Sequence, residues 1–371
     1  MESGKDNDNS AFSCGSGVIY RRKALEEVGG FSTWNIVEDV HTSMRLQEKG
    51  WRSVYYNYPL TKGTAPADIY GVYRQRKQWA ADSLRILFWD NPFGHKGLSF
   101  KQKLQYAHLG FVYIVAAFIM PFFYITPVIA ILSNEFVLTS PVSSYVIHRF
   151  PYFIAMAFAY GLINYPTPYL PAFQMWTGLF PVFIQATFVA LFHRKSKPAY
   201  RVNIKPVQKQ REKKTPWFAI TPQLAIIVFG LFAIVYGLVV DYEIQWDFYL
   251  LNVVWIFWSV WTMSGICIAA VKKTRWAKEP EQTDTTIVEP TKLRFYPVRE
   301  MVATIVLSAI VTVFFVTANP VVVQRHLTNV RESVASVLGF RPAAHKSEPQ
   351  TKGGTSQGTT DTQKQTEPAR P

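Results

Sequence analysis

Five apolar runs, residues 107–132, 146–165, 217–240, 250–271 and 301–318, constrain this chain more than any other feature. A bilayer core about 30 Å thick is spanned by about 20 predominantly apolar residues in a helix. Four of the runs meet that length and the fifth is marginal. In hydrocarbon each must satisfy its own backbone N–H and C=O groups, so each is expected to be a helix. A sixth run, 169–192, is interrupted by Pro171, Gln174, Pro181 and Gln185. Charged residues make up 17% of the chain and apolar residues 49%. That balance excludes a disordered chain and argues against an ordinary soluble one.

Charge sets the expected orientation. Of the 39 Lys and Arg, which outnumber Asp and Glu to give a net charge of +14, nine fall in 193–214 and seven in 272–299. Segments 133–145 and 241–249 hold none. The positive-inside rule therefore places both basic segments in the cytoplasm and the cation-free ones outside. The excess charge is accounted for by these loops, and no nucleic-acid partner is expected. With a cytoplasmic N-terminal segment, run 169–192 must then not cross, and it is expected to lie as an interfacial helix along the headgroups. The resulting division is 1–104 cytoplasmic, 105–271 a membrane domain of four spans, 272–300 a basic cytoplasmic linker and 301–318 a fifth span. Residues 319–371 form an extracytoplasmic and largely disordered tail, most clearly so from Ala343 onward. Multi-pass insertion in the plasma membrane is the expected location.

Residues 1–104 read as mixed α/β. Val18-Ile19-Tyr20 and 53–58 have strand character, 22–28 a helical turn, and 39–49 a helix closed by Gly50. These elements supply only part of a domain. Cys14 and Cys267 lie in different settings and do not suggest a disulfide framework.

Three groups of residues point to chemistry. Val37-Glu38-Asp39 opens the helix at 39, where the macrodipole stabilises a carboxylate anion suited to general-base work. The same pair also reads as a simple helix cap. Gln75, Arg76 and Trp79 share one face of a helix expected over 67–89. An indole beside amide and guanidinium groups can stack on a sugar ring and meet a diphosphate. A second reading makes this an amphipathic interfacial helix with Trp79, Leu84, Leu87, Phe88 and Trp89 in lipid. Tyr200-Arg201-Val202-Asn203-Ile204-Lys205 alternates apolar and polar residues within the basic segment, which also reads as merely topogenic.

In order, these segments resemble the processive family-2 glycosyltransferases, the cellulose synthase group. Phe12-Ser13-Cys14-Gly15-Ser16 looks like the family's F-F-C-G-S, followed by Gly29-Gly30-Phe31. Val37-Glu38-Asp39 stands where the family has T-E-D. Gln75 to Trp79 looks like Q-(Q/R)-x-R-W, and Tyr200 to Lys205 like F-x-V-T-x-K. The resemblance implies a polytopic α-helical membrane protein whose N-terminal segment is part of a GT-A-like α/β domain. It also implies transfer of a sugar from a UDP-glucose-like donor to a growing polysaccharide, which is then threaded through the membrane helices.

By the same resemblance, Asp39 is the general base and Trp79 stacks on the acceptor. Gln75 and Arg76 lie near the donor diphosphate, and Glu38, Cys14, Gly15 and Ser16 contact substrate. Tyr200, Val202, Asn203 and Lys205 form a gating loop. Gln78 stands where the motif has Arg, Asn203 where it has Thr, and Val37 where T-E-D has Thr. Mg or Mn is expected for the complete enzyme, with its ligands outside this chain. Asp6-Asn7-Asp8 has the letters of a D-x-D motif but follows no strand. The chain is thus expected to be the C-terminal portion of a synthase, incomplete alone, with another chain or segment supplying the donor-binding half. Competing readings are a polytopic transporter and a non-catalytic membrane scaffold.

The topology makes a direct prediction. A cysteine introduced at Ser196 should be shielded from an impermeant thiol reagent added to intact cells and labelled after permeabilisation. Labelling from outside would reverse the arrangement.

Overall fold

The computed structural model describes residues 2–56, 66, 68–135, 141–164, 169–195, 217–239, 245–271, 296–318 and 320–339. In chain order the helices are α1 (Glu2–Asp6), α2 (Arg22–Glu27), α3 (Glu38–Glu48), α4 (Ile69–Trp89), α5 (Phe100–Ile114) and α6 (Met120–Ser133). They continue with α7 (Val142–Asn164), α8 (Tyr169–Gly178), α9 (Phe180–Phe192), α10 (Trp217–Val239), α11 (Trp246–Val271), α12 (Tyr296–Thr317) and α13 (Pro320–Val337). A π turn, Val115–Ile119, joins α5 to α6, so Phe100–Ser133 is one 34-residue helix. Pro121, just beyond that turn, has no N–H to close a regular ladder, and the wider turn absorbs the missing bond.

Among the described residues five helices are long and apolar enough to cross a membrane: Phe100–Ser133, α7, α10, α11 and α12. The count becomes six if α8 and α9 are taken as one broken span. They correspond to the five runs in the sequence. Side chains set two key starts. Asp68 accepts the Gly71 amide at 2.7 Å and opens α4. Ser99 and Gln102 form a reciprocal capping box that opens α5.

The N-terminal segment differs from its expected α/β character, since no strand is present among its described residues. Residues 18–20 and 53–56 are without strand pairing, and Ile19 and Val54 are 98% and 76% exposed. A strand exists only by pairing with another, and here side chains take the backbone donors instead. Asn9 Oδ1 accepts the Ser53 amide and Asp6 Oδ1 the Tyr55 amide, each at 2.8 Å. The rest of the expected strand, 57–58, lies outside the described residues.

What organises this segment is α3. Its buried Val40 and Met44, with Val37, pack against Ile86 of α4, Leu98, and Tyr106 of α5. Gln47 fixes the depth of the contact, accepting from Tyr106 Oη and donating to the Ala11 carbonyl, both at 2.8 Å.

α4 joins this segment to the membrane helices. Ala80, Ala81 and Leu84 pack with Phe183, Ala186 and Ala190 of α9 and with Tyr113, Ala116 and Ala117. Two of the side chains expected in lipid on the interfacial reading of α4 do not face it. Leu84 and Leu87 are buried within the protein, because α9 and α5 cover the face that lipid would otherwise have covered.

Run 169–192 is not one helix but two, bent by 51° between α8 and α9. Three features fix the break. Pro181 sits in the first turn of α9. The Gly178 carbonyl accepts Gln223 Nε2 at 2.7 Å instead of continuing a ladder. A Cβ at Gly178 would come within 2.6 Å of Ile266 Cγ1, so only glycine permits this approach to α11. At the start of the pair, the Glu300 carboxylate of α12 accepts the Tyr169 and Leu170 amides at 2.6 and 3.0 Å. At its end, Arg85 of α4 donates to the His193 carbonyl at 2.7 Å.

The tail is also more ordered than expected. Residues 320–337 form α13, an amphipathic helix packed on α10 and α11 with Ala335 buried. Its half-buried Val323, Leu327 and Val334 recur at helical spacing, the pattern that makes such a face pack. The tail from Ala343 lies outside the described residues.

Candidate active site

At the first turn of α3 the N-cap, Val37, makes no side-chain capping bond. Asp39 Oδ1 instead accepts the Val40 amide at 2.8 Å, so the capping reading holds for one oxygen. The other oxygen faces the F-S-C-G-S turn, where a Cβ at Gly15 would lie 3.3 Å from Asp39 Oδ2. Gly15 has φ +78°, a conformation that favours glycine, so both backbone and space select it.

The turn is held down by a chain of bonds. Gly15 N donates to Ser13 Oγ, Ser13 N donates to Ser43 Oγ at 3.1 Å, and Ser43 Oγ donates to the Asp39 carbonyl at 2.7 Å. Glu38, Cys14 and Ser16 are exposed beside it. Burial pushes the Asp39 pKa above the ordinary carboxylate value; the Val40 amide opposes this and the Glu38 charge adds to it. A raised pKa makes the carboxylate a stronger base.

On α4, Gln75 and Arg76 are half-buried and Trp79 is 40% exposed. The Arg76 guanidinium lies 5.1 Å from the centre of the Trp79 ring, and Lys77 Nζ donates to Gln185 of α9 at 3.2 Å. The cation beside the indole is therefore Arg76, while Lys77 is turned toward the membrane helices. Gln78 carries no charge to add.

Two groups of side chains that sequence reasoning passed over, the first fully buried and the second half-buried, brace these parts. Asp82 and Arg85, both with fully buried side chains, form an ion pair of 2.8 Å one turn along α4. Asp82 also accepts the Ile36 amide, and Arg85 donates to the Trp34 carbonyl at 3.2 Å. The turn three residues before Asp39 is thereby set by a helix that carries Trp79 three residues before Asp82. The signal was present in the sequence as oppositely charged residues three apart within an apolar stretch of a helix. The second group lies behind α3. His41 Nε2 and His95 Nε2 hold the two oxygens of Asp90 at 2.6 and 3.1 Å, and His95 Nδ1 meets Glu48 at 2.7 Å. His41 also meets Ser32 Oγ at 2.5 Å.

Tyr200, Val202, Asn203 and Lys205 lie outside the described residues. The root of their segment is described. Trp34 Nε1 donates to the Arg194 carbonyl at 3.0 Å, Trp89 Nε1 donates to the Ala190 carbonyl at 2.8 Å, and the Arg194 guanidinium lies over the Trp89 ring.

Residues 1–316 match the glycosyl transferase family group 2. The chain belongs to this family. It is 42% identical over 106 residues to the UDP-forming cellulose synthase 1 catalytic subunit of Komagataeibacter xylinus, covering 29% of this chain and 14% of that protein. It is 39% identical over 115 residues to the UDP-forming cellulose synthase catalytic subunit of Xanthomonas axonopodis pv. citri (strain 306), covering 30% and 16%. It is 40% identical over 106 residues to cellulose synthase 1 of Novacetimonas hansenii, covering 29% and 7%. Each match thus spans less than a fifth of the relative's length.

Among the described residues no group of three or more His, Cys, Asp or Glu side chains is placed to hold a metal. Asp6 and Asp8 serve other contacts, with the Tyr55 amide and with Lys101 Nζ at 3.0 Å.

The cluster behind α3 predicts a pH dependence. Its hydrogen bond to Asp90 and then that to Glu48 raise His95 to about 9, while burial opposes them. Asp90 is held well below the usual carboxylate range, chiefly by its bond with His41 and then His95. The His95 contribution is complete below its unfolded value of about 6.5 and is lost as pH rises through about 9. The Asp90 contribution is complete above about 4 and lost in acid. Stability against thermal unfolding in detergent should therefore fall between about pH 6.5 and 9, by on the order of 1–3 kcal/mol. His95→Gln should flatten that limb. Stability that rises over this interval would contradict the assignment.

Proposed function

We propose that this chain carries the acceptor-side machinery of a membrane polysaccharide synthase, similar to cellulose synthase, that draws on a nucleotide-sugar donor such as UDP-glucose. The observation that carries the reading is the arrangement around Asp39. A half-buried carboxylate of raised basicity lies under a glycine turn, and a buried ion pair ties its helix to the helix presenting Trp79. In the proposed step Asp39 takes the proton of the acceptor hydroxyl. The hydroxyl oxygen bonds to the anomeric carbon of the donor sugar from the face opposite the departing nucleoside diphosphate. Trp79 holds the acceptor ring by stacking, and Gln75 and Arg76 lie toward the diphosphate, with Arg76 as the cation that Gln78 does not supply. Cys14, Gly15 and Ser16 border the acceptor, and Glu38 lies at the edge of the site. Tyr200, Val202, Asn203 and Lys205 close over bound nucleotide.

A donor-binding half with a GT-A-like sheet and Mg or Mn ligands is proposed to complete the site from beyond the described residues. The polymer leaves through the helices Phe100–Ser133, α7, α10 and α11. Both ends of the α8–α9 pair are tied to elements of one side, Glu300 beside the basic linker and Arg85 in the N-terminal segment. That geometry supports a pair that enters and leaves on the cytoplasmic side, leaving five crossings in the plasma membrane. The following variants separate catalysis from a non-catalytic scaffold role.

In the complete enzyme Asp39→Asn should lower sugar incorporation by about 10²- to 10⁴-fold while leaving nucleotide binding within twofold, because an amide cannot take the acceptor proton. Trp79→Ala should instead raise the acceptor KM. Gln78→Arg should be neutral or harmful, since Arg76 already supplies the cation beside the indole. Undetectable transfer by parent and variants, with the donor half present and folded, would favour the scaffold.

A further inference from the structure

Arg85 is an arginine with no exposed side-chain surface on a helix whose functional residues lie one to three turns earlier. Its guanidinium has a partner in each of three elements. Nη1 bonds Asp82 of its own helix at 2.8 Å and the Trp34 carbonyl at 3.2 Å. Nε bonds the His193 carbonyl at 2.7 Å, just past the end of α9. The planar group also lies 4.4 Å from the centre of the Trp34 ring. Trp34 continues the link by donating its indole N–H to the Arg194 carbonyl. Asp82 completes it by accepting the Ile36 amide.

A fork of fixed donors can bridge separate carbonyls in this way, and an ammonium group cannot reproduce the geometry. Burying such a pair is costly, and apolar residues of similar volume often fill the same space with equal or greater stability. Stability alone therefore does not account for it, whereas registry between elements does.

We infer that Arg85, charge-balanced by Asp82, is a positioning residue that locks the turn launching Asp39's helix to the root of the basic segment after α9. It makes no contact with substrate. It fixes where the base stands relative to the helix bearing Trp79 and to the point where the basic segment leaves the membrane helices. The relevance to transfer rests on the function proposed above, but the lock itself is a property of the fold and can be measured without activity.

The test is hydrogen exchange by mass spectrometry on the full chain in nanodiscs. The double variant Asp82→Leu with Arg85→Met replaces the pair by apolar volume. Its melting temperature should be kept within a few degrees, while exchange in peptide 32–38, which contains the Ile36 amide, rises about tenfold, the effect of losing one charge-assisted hydrogen bond. Exchange in peptide 186–195 should rise with it. Arg85→Lys guards against a double variant that fails to fold. It keeps a charge for Asp82, so the Ile36 amide should stay protected while 186–195 exchanges faster. Unchanged exchange at both peptides in whichever variant folds would overturn the inference.

In an active preparation the double variant should lower kcat about 10- to 100-fold with acceptor KM little changed, the mark of misplacement rather than lost binding. Faster exchange with no transfer by the parent, with the donor half present and folded, would retire the proposed reaction and leave the lock standing. Unchanged exchange with transfer intact would retire the lock alone.

Discussion

The seam between α4 and α9 is the contact on which the rest of the arrangement depends. Small residues on both sides, Ala80 and Ala81 against Ala186 and Ala190, let the two helices approach closely, and Leu84 and Phe183 fill the space beside them. Everything that bears on chemistry is referred to this seam. Trp79 and Arg76 are presented from α4 just before it, Lys77 reaches Gln185 across it, and Asp82 and Arg85 lie along it. This helix pair thus becomes the bench on which the candidate site is assembled. Burial of apolar surface supplies the affinity of that contact, and hydrogen bonds to backbone carbonyls supply its register.

That register explains how a site made of distant segments holds together without a sheet among the described residues. The F-S-C-G-S turn reaches α3 through Ser13 and Ser43, α3 reaches α4 through the 34–36 turn, and α4 reaches α9 through Arg85 and Trp89. Behind α3, His41, Asp90, His95 and Glu48 close the opposite side. Each link pairs a buried or half-buried donor with a buried or half-buried acceptor, which is the condition for polar groups to be tolerated at these positions.

Much of this was legible in the sequence, for definite reasons. The spans were legible because hydrocarbon imposes length and apolarity together, and α3 and α4 because their amphipathic spacing agrees with their caps. The adjacency of Gly15 to Asp39 emerges only in the structure, where a Cβ at Gly15 would lie 3.3 Å from Asp39 Oδ2. Strands at 18–20 and 53–56 were misread because a short β-prone run records a preference for extended backbone and not the partner that makes a strand. The break at Gly178 was hidden because it depends on Ile266 and Gln223, far along the chain. The role of Asp82 and Arg85 escaped for the same reason. Their spacing says only that they can pair, while Ile36, Trp34 and His193 decide what the pair does.

The central claim is that a sugar polymer's end is received between the F-S-C-G-S turn, Asp39 and the face of α4 that carries Trp79. The most direct measurement is photo-crosslinking of membranes containing the chain with a glucan oligosaccharide bearing a terminal diazirine, followed by peptide mapping. The account predicts adducts in peptides spanning residues 13–17 and 75–79, competed by unlabelled oligosaccharide. Competable adducts found only elsewhere, or none above those of a diazirine lacking the sugar, would contradict it.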